Sequence, residues 1–180
     1  MKDNLTKWKR LFIFCLGLYL ASAFAMKWME SDLVYDGEKI SIFGLELFYP
    51  KEKIITILSS IDNKVKTILS YHLSFDFIFM AGVYPGIASI CMMAAEKINR
   101  ISLKMILFIL AFLQLFGWVF DITENYYLLK WLKQPVIDDE FGFYHVVVYS
   151  KWGIALMGAL FGLGMLVSSI FKKNVQKSLT

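Results

Sequence analysis

The chain has 180 residues, of which 58% are hydrophobic, and its mean hydropathy is +0.57. Soluble domains contain roughly 45–50% apolar residues, so these values exclude an ordinary soluble domain, and 16 Phe, 9 Tyr and 5 Trp suit a surface that faces lipid. A net charge of +4 does not indicate nucleic-acid binding, because the basic residues stand beside apolar segments and form no continuous stripe.

Four apolar segments are each long enough to cross a bilayer, which takes about 20 residues. They cover approximately residues 11–29, 73–95, 102–126 and 146–171, and together they predict a single membrane domain, residues 1–180. Basic residues precede the first segment, fill the loop between the second and third, and follow the fourth: Lys2, Lys7, Lys9, Arg10, Lys97, Arg100, Lys104, Lys172, Lys173 and Lys177. The four segments predict an all-α integral membrane protein, an antiparallel four-helix transmembrane bundle, which we place in a bacterial inner membrane. Because lysine and arginine concentrate on the cytoplasmic side of membrane proteins, both termini are predicted to lie in the cytoplasm.

The first segment allows two interpretations. Gly17, Ala21 and Ala25 are spaced by four residues and predict a stripe of small residues for helix packing, which favours a retained span. The tripeptide Ala-Ser-Ala at 21–23 is typical of a cleavage site, so a secretory signal peptide over residues 1–29 stays open as the alternative.

The outer segment, residues 30–72, predicts a cap with structure of its own. Asp36-Gly37 predicts a two-residue turn between strands at 33–35 and 40–42, and hence a short β-hairpin. After Pro50, apolar residues recur at helical spacing and predict one amphipathic helix: Ile54, Ile57, Leu58, Ile61, Val65, Ile68 and Leu69. Its apolar face has no Trp or Phe, so we expect the helix to cap the bundle rather than lie in the lipid interface.

The second and third apolar segments each carry polar residues on one face. In the second, Asp76 and Tyr84 share a face. In the third, a polar stripe recurs every three or four residues, with Glu124 adjoining it: Gln114, Gly117, Asp121 and Asn125. Beyond this stripe we expect Tyr126, Tyr127 and Trp131 to form an interfacial aromatic belt.

The fourth segment places Lys151 on the same face as Ala155, Gly158 and Gly162. The Gly-x-x-x-Gly pattern at 158–162 lets a neighbouring helix approach closely, so Lys151 is predicted to point into a packing interface. Gly158 and Gly162 also suit a partner helix from another protein.

Asp76, Asp121 and Lys151 fall at a similar depth near the outer boundary, and Lys27 reaches the same level. Charged groups inside a membrane are costly, so we predict a ligand-binding site there: Asp76, Tyr84, Gln114, Asp121, Glu124, Asn125 and Lys151. Simpler roles are open for several of these residues. Asp121 and Lys151 would then form a structural ion pair, Asp76 would cap its helix, and Lys27, Glu124 and Asn125 would reach water.

Three short motifs carry a resemblance. They are Asp76-Phe77-Ile78-Phe79 with Tyr84, Asp121-Ile122-Thr123-Glu124-Asn125, and Lys151-Trp152 at the opening of the last segment. The chain resembles a scattered group of small bacterial four-helix membrane proteins over its last three segments. The resemblance implies the same fold and the same choice of polar residues, and it implies no particular chemistry.

We expect the charged site to bind the polar end of a lipid-like or small amphipathic molecule. Two alternatives stay open: a structural or accessory subunit of a membrane complex, and an intramembrane lipid-modifying enzyme whose carboxylate acts as general acid or base beside Lys151 or Tyr84. A proton-coupled carrier is disfavoured, because the cytoplasmic halves of the segments offer only Cys15, Ser89 and Ser168 as polar groups. His145 has no His, Cys or acidic residue at ligand spacing nearby, so we expect no metal site, and the sequence predicts no cofactor.

Overall fold

The fold consists of four long helices and a small cap, residues 30–62, at one end of them. The computed structural model describes the backbone of residues 2–178 and the side chains of residues 4–169. In chain order the elements are α1 (Lys2–Met29), β1 (Val34–Tyr35), β2 (Glu38–Lys39), α2 (Lys51–Ser60), α3 (Asn63–Ala95), α4 (Ile101–Lys133) and α5 (Glu140–Ser178). α1, α3, α4 and α5 are long and apolar enough to cross a membrane, as the four predicted segments require. Part of the predicted topology signal lies on side chains outside the described residues: Lys2, Lys172, Lys173 and Lys177.

The amphipathic helix predicted in the cap is divided into two. After α2 the backbone of Ile61 is extended, and α3 then begins. The carboxylate of Asp62 accepts a hydrogen bond from the backbone N–H of Val65 at 2.8 Å, which caps the first turn of α3. The prediction of one continuous helix is therefore wrong, since its second half is the start of α3. A capping role for Asp76 is also wrong, because Asp76 lies in the interior of α3.

The hairpin forms around the predicted turn. β1 and β2 pair antiparallel, and Asp36 and Gly37 between them have φ of 51° and 78°, the left-handed conformation that a two-residue hairpin turn requires. The predicted hairpin is confirmed, but its second strand is Glu38–Lys39 and not 40–42. A two-residue turn places Glu38 directly opposite Tyr35, so pairing begins at once after Gly37.

α3 is the central helix. It packs against α1, α4 and α5, while α4 also packs against α5 and α1 packs chiefly against α3. α1 comes close to α3 at Gly82, where an added Cβ would lie 2.6 Å from the backbone nitrogen of Tyr19. The predicted stripe of small residues on α1 is wrong, because Gly17 has no atom within 4 Å of its Cβ position and Ala21 is exposed. The small residue that permits the approach belongs to α3 instead.

The glycines of α5 are used within the chain. A Cβ at Gly158 would clash with the side-chain amide of Gln114 on α4 and lie 2.8 Å from Ile87 on α3. A Cβ at Gly162 would lie 3.0 Å from the sulfur of Cys91. This face of α5 is therefore already occupied by α3 and α4, and a partner protein would have to use another surface.

A hydrophobic cluster holds the cap on the ends of α4 and α5. Ile54, Ile57 and Leu58 of α2 are buried in it together with Trp131 and Tyr144. Burial of these three aliphatic side chains contributes on the order of several kcal/mol to the stability of the fold, before the entropy lost by ordering the chain is subtracted. α2 therefore caps the bundle, as predicted.

Trp131 belongs to this cluster and not to an interfacial belt. Its exposed fraction is 0%, whereas that of Tyr126 is 63%. The ring of Trp131 lies 4.8 Å from that of Tyr144, and its indole N–H donates to the carboxylate of Glu140 at 3.1 Å. The expectation for Trp131 is wrong because α4 continues past its apolar segment and carries the tryptophan into the cap.

Candidate functional site

Lys151 lies at the centre of a buried charged cluster. Its Nζ is 2.6 Å from Oε2 of Glu124, 2.7 Å from Oδ1 of Asp121 and 3.5 Å from Oε2 of Glu46. α5 supplies the lysine, one face of α4 supplies Asp121 and Glu124, and the short π-helical segment Gly44–Phe48 of the cap supplies Glu46. We call these four residues the Lys151 cluster. Three carboxylates share one ammonium group, so the cluster holds more negative than positive charge when all of them are ionised.

Three further hydrogen bonds connect α3 to this side of α4. The hydroxyl of Tyr84 donates to Oδ2 of Asp121 at 2.9 Å. The side-chain amide of Asn125 donates to Oδ2 of Asp76 at 2.7 Å and to the backbone oxygen of Leu73 at 3.3 Å. Asp76 of α3 and Asp121 of α4 therefore each accept a hydrogen bond from the other helix.

Glu124 is the least accessible member of the Lys151 cluster. Its exposed fraction is 0%, and among the described residues its one ion-pair partner is the ammonium group of Lys151. The contact lacks good hydrogen-bond alignment, and Oε1 has no hydrogen-bond donor in the described part of the chain. A buried carboxylate in this situation costs stability, because one ion pair compensates only in part for the lost hydration.

Glu46 closes the cluster from the cap. It accepts a hydrogen bond from the indole N–H of Trp152 at 3.3 Å as well as pairing with Lys151. Burial raises the pKa of the Glu46 carboxyl above its ordinary 4.5, and it does so against the attraction of Lys151, which acts to lower the pKa.

We expect this shift to make stability depend on pH. The folded protein holds the proton of Glu46 to a higher pH than the unfolded chain does, so its contribution is fully present below pH 4.5 and is lost as pH rises through the folded pKa. Glu46→Gln, which is neutral throughout, should therefore gain stability relative to wild type as pH rises. Thermal unfolding in detergent from pH 4.5 to pH 8 measures this, with Glu52→Gln on the exposed side of α2 as the control. Parallel pH profiles for wild type and Glu46→Gln would contradict the prediction.

A groove of about 410 Å³ opens beside the Lys151 cluster, between α1, α3 and α5 and below the cap. Its polar end is lined by charged and hydrogen-bonding side chains: Lys27, Glu30, Glu46, His72, Asp76, Tyr84, Asp121 and Lys151. The rest of its lining is largely apolar: Tyr19, Ala23, Met26, Ile42, Phe43, Phe79, Val83, Ile87, Trp152, Ala155, Leu156 and Ala159. The volume falls in the range of small-molecule sites, which is about 300–1,000 Å³.

His72 is a residue of the groove that sequence analysis did not select. Only 1% of it is exposed, and neither ring nitrogen has a hydrogen-bond partner among the described residues. Its Nε2 lies 3.9 Å from the carboxylate of Glu30, which is too far for a hydrogen bond. Buried polar groups normally have a partner, so this side chain is available to something in the groove. Its position four residues before Asp76, on the same face of α3, is the signal that could have identified it.

Six of the seven predicted site residues fall into two groups. Asp76, Tyr84, Asp121 and Lys151 line the groove. Glu124 and Asn125 lie behind them, and both are buried, so the alternative that they reach water is wrong. Lys27 is exposed and pairs with Glu30 at 2.5 Å, so it reaches water, as the simpler interpretation predicted.

Gln114 does not join the other predicted residues. Its side-chain amide donates to the backbone oxygens of Leu110 and Ile154, both at 3.1 Å, so it connects α4 to α5. It lies about two turns away from Asp121 along the same face of α4 and packs against Gly158. The helical period placed it on the correct face, but its partners are backbone groups.

Comparison with known proteins gives no match: no protein-family model, no curated protein and no solved structure is similar to this chain. Within the described residues, no group of three or more His, Cys, Asp or Glu side chains is arranged to hold a metal ion. The chemistry of the site is therefore argued from its own geometry.

Proposed function

We propose that the chain is a multi-pass membrane protein whose groove binds the polar end of a lipid-like or small amphipathic molecule. The observation that supports this most directly is the division of the groove into a charged end under the cap and an apolar length between α1 and α5. From His72 to Ile87 the groove follows α3 for about 22 Å, which suits a headgroup with an apolar chain.

The packing of the helices supports entry from the side. Because α1 packs chiefly against α3, the groove runs along α3 with α1 on one side and α5 on the other. Large exposed apolar side chains continue outward from both walls, among them Phe24 on α1 and Leu160 on α5, which are 69% and 71% exposed. An apolar chain could thus pass between bilayer and groove without crossing a polar surface.

In this proposal the protein lies in a bacterial inner membrane with both termini in the cytoplasm, and the groove opens in the outer half of the bundle. The basic loop with Lys97 and Arg100 follows the end of α3 that is remote from the cap. The positive-inside rule puts that loop in the cytoplasm and therefore puts the cap and the polar end of the groove outside.

Filling the groove should remove its occupant. Ala155 lines the groove, so Ala155→Trp is expected to lower the amount of co-purifying amphiphile about tenfold, by displacing its chain. Leu160→Trp, which adds the same side chain on the exposed face of α5, should retain as much as wild type. Native mass spectrometry of the protein extracted in mild detergent measures the retained molecules. Equal retention by both variants and wild type would contradict the proposed groove.

A further inference from the structure

The polar end of the groove has an excess of acidic side chains. Four carboxylates line it, from Glu30, Glu46, Asp76 and Asp121, and Glu124 lies behind them. Two lysines line it, Lys27 and Lys151. Lys27 is paired with Glu30, and Lys151 contacts the three acids of its cluster, so Asp76 has no ion-pair partner among the described residues. An excess of carboxylates in a region of low dielectric is costly unless a proton or a cation compensates for it.

The same pairing makes the site unsuitable for an anionic headgroup. Lys151 already contacts three carboxylates, and Lys27 already contacts Glu30. A phosphate or carboxylate ligand would have to displace one of these partners and would then face the remaining acids. Binding of an anion at this end is therefore opposed by like charge.

Two groups in the polar end have unused hydrogen-bonding capacity. His72 is buried, and neither of its ring nitrogens has a hydrogen-bond partner in the part of the chain that the structure describes. Asp76 is bonded through Oδ2 to Asn125, and within the described part of the chain that is its one hydrogen-bond partner. His72 and Asp76 are one turn apart on α3 and both line the groove, so a single small donor can reach both. A neutral imidazole offers one acceptor nitrogen, and a carboxylate offers several acceptor positions.

We propose that the polar end of the groove takes the protonated amine of a long-chain amphiphile, with Asp76 and His72 as its acceptors. An ammonium group has three N–H donors and one positive charge, which match the unused acceptors and the excess of carboxylates together. Its apolar chain lies along the groove toward Ile87 and Ala159. The assignment rests on the proposed amphiphile site and adds the class of headgroup. A membrane lipid with an amine headgroup and a free long-chain amine share this chemistry.

Three probes of one chain length test the headgroup: dodecylamine, dodecanol and dodecanoate. Each is added to the full-length protein in detergent, and its retention is measured by native mass spectrometry. Wild type should retain dodecylamine at least about tenfold more strongly than dodecanoate, a difference of about 1.4 kcal/mol. Asp76→Asn should lose about tenfold in retention of dodecylamine and keep its retention of dodecanol. Asp139→Asn, which removes an exposed carboxylate in the loop before α5, is the matched control and should behave as wild type.

The outcomes separate the two proposals. If wild type and Asp76→Asn retain all three probes equally, the amine assignment is overturned while the amphiphile site stands. If wild type retains none of them, or if Ala155→Trp leaves retention unchanged, both are overturned. His72→Phe gives an independent measurement in case Asp76→Asn fails to fold, and a normal preference for dodecylamine in that variant would remove His72 from the site.

Lipid nanodiscs distinguish the two sources of the amine. In discs with equal amounts of phosphatidylethanolamine and phosphatidylglycerol, enrichment of phosphatidylethanolamine on the protein identifies a membrane lipid as the source. Dodecylamine binding without such enrichment identifies a free long-chain amine. Enrichment of phosphatidylglycerol would overturn the assignment, since that headgroup carries no amine.

Discussion

Lys151→Met is expected to destabilise the protein by about 3–5 kcal/mol, because it leaves buried carboxylates without their cation. The ammonium group lies within 4 Å of three carboxylates, and Lys151 and Asp121 are 6% and 5% exposed, so solvent offers little compensation. Thermal unfolding in detergent measures the effect. Lys27→Met is the matched control, because the Lys27 side chain is 79% exposed and its pair with Glu30 should contribute little.

The double variant tests whether the residues act as a unit. Asp121→Asn alone should also destabilise the protein, and Asp121→Asn combined with Lys151→Met should be more stable than the sum of the two single effects predicts. Recovery should be partial, since Glu124 and Glu46 remain without the lysine. Strict additivity, or equal effects of Lys151→Met and Lys27→Met, would show that the Lys151 cluster is not coupled in this way.

Trp131→Ala should cost about 3–5 kcal/mol, the usual range for removing a fully buried tryptophan. The side chain is 0% exposed, packs on Tyr144 and donates to Glu140, so its loss leaves a cavity and removes one of the two donors to Glu140, the other being Lys130. Tyr126→Ala, which removes a 63% exposed aromatic residue of the same helix, should change stability by less than about 1 kcal/mol.

Trp131→Ala also tests the cap itself. If the cap lay loosely at a lipid surface, the two aromatic substitutions would have similar effects on unfolding. A larger effect at Trp131, accompanied by faster proteolysis within residues 33–60, would support a cap packed on the bundle.

Helical spacing predicted much of the candidate site. Asp76 and Tyr84 on one helix and Asp121 and Asn125 on another recur at intervals that fix which face of each helix they occupy, and in the structure these two faces are in contact. Lys151 falls at a similar depth in its own apolar segment, which predicted that it would lie beside Asp121. These inferences need only a regular backbone, which is why they agree with the structure.

The cap could not be predicted to the same degree. Glu46 reaches Lys151 through a short segment whose path depends on tertiary packing, and no local pattern indicates that contact. The break between α2 and α3 at Ile61 depends on the Asp62 carboxylate, which caps the N-terminus of α3. The apolar residues on both sides of the break nevertheless continue one helical period. A period shows which residues share a face, but it does not show where one helix ends and the next begins.

The position of Lys151 in the chain has a consequence for biosynthesis. Glu46, Asp121 and Glu124 all precede it, so the ribosome makes α5 after the helix and the cap segment that carry these acids. In the proposed membrane, α4 would therefore be inserted while its acids still lack their cation, which is costly at that stage. Docking of α5 would supply the missing charge and close the interface with α3 and α4 in one step, so the arrival of α5 would determine when these four helices become stable together.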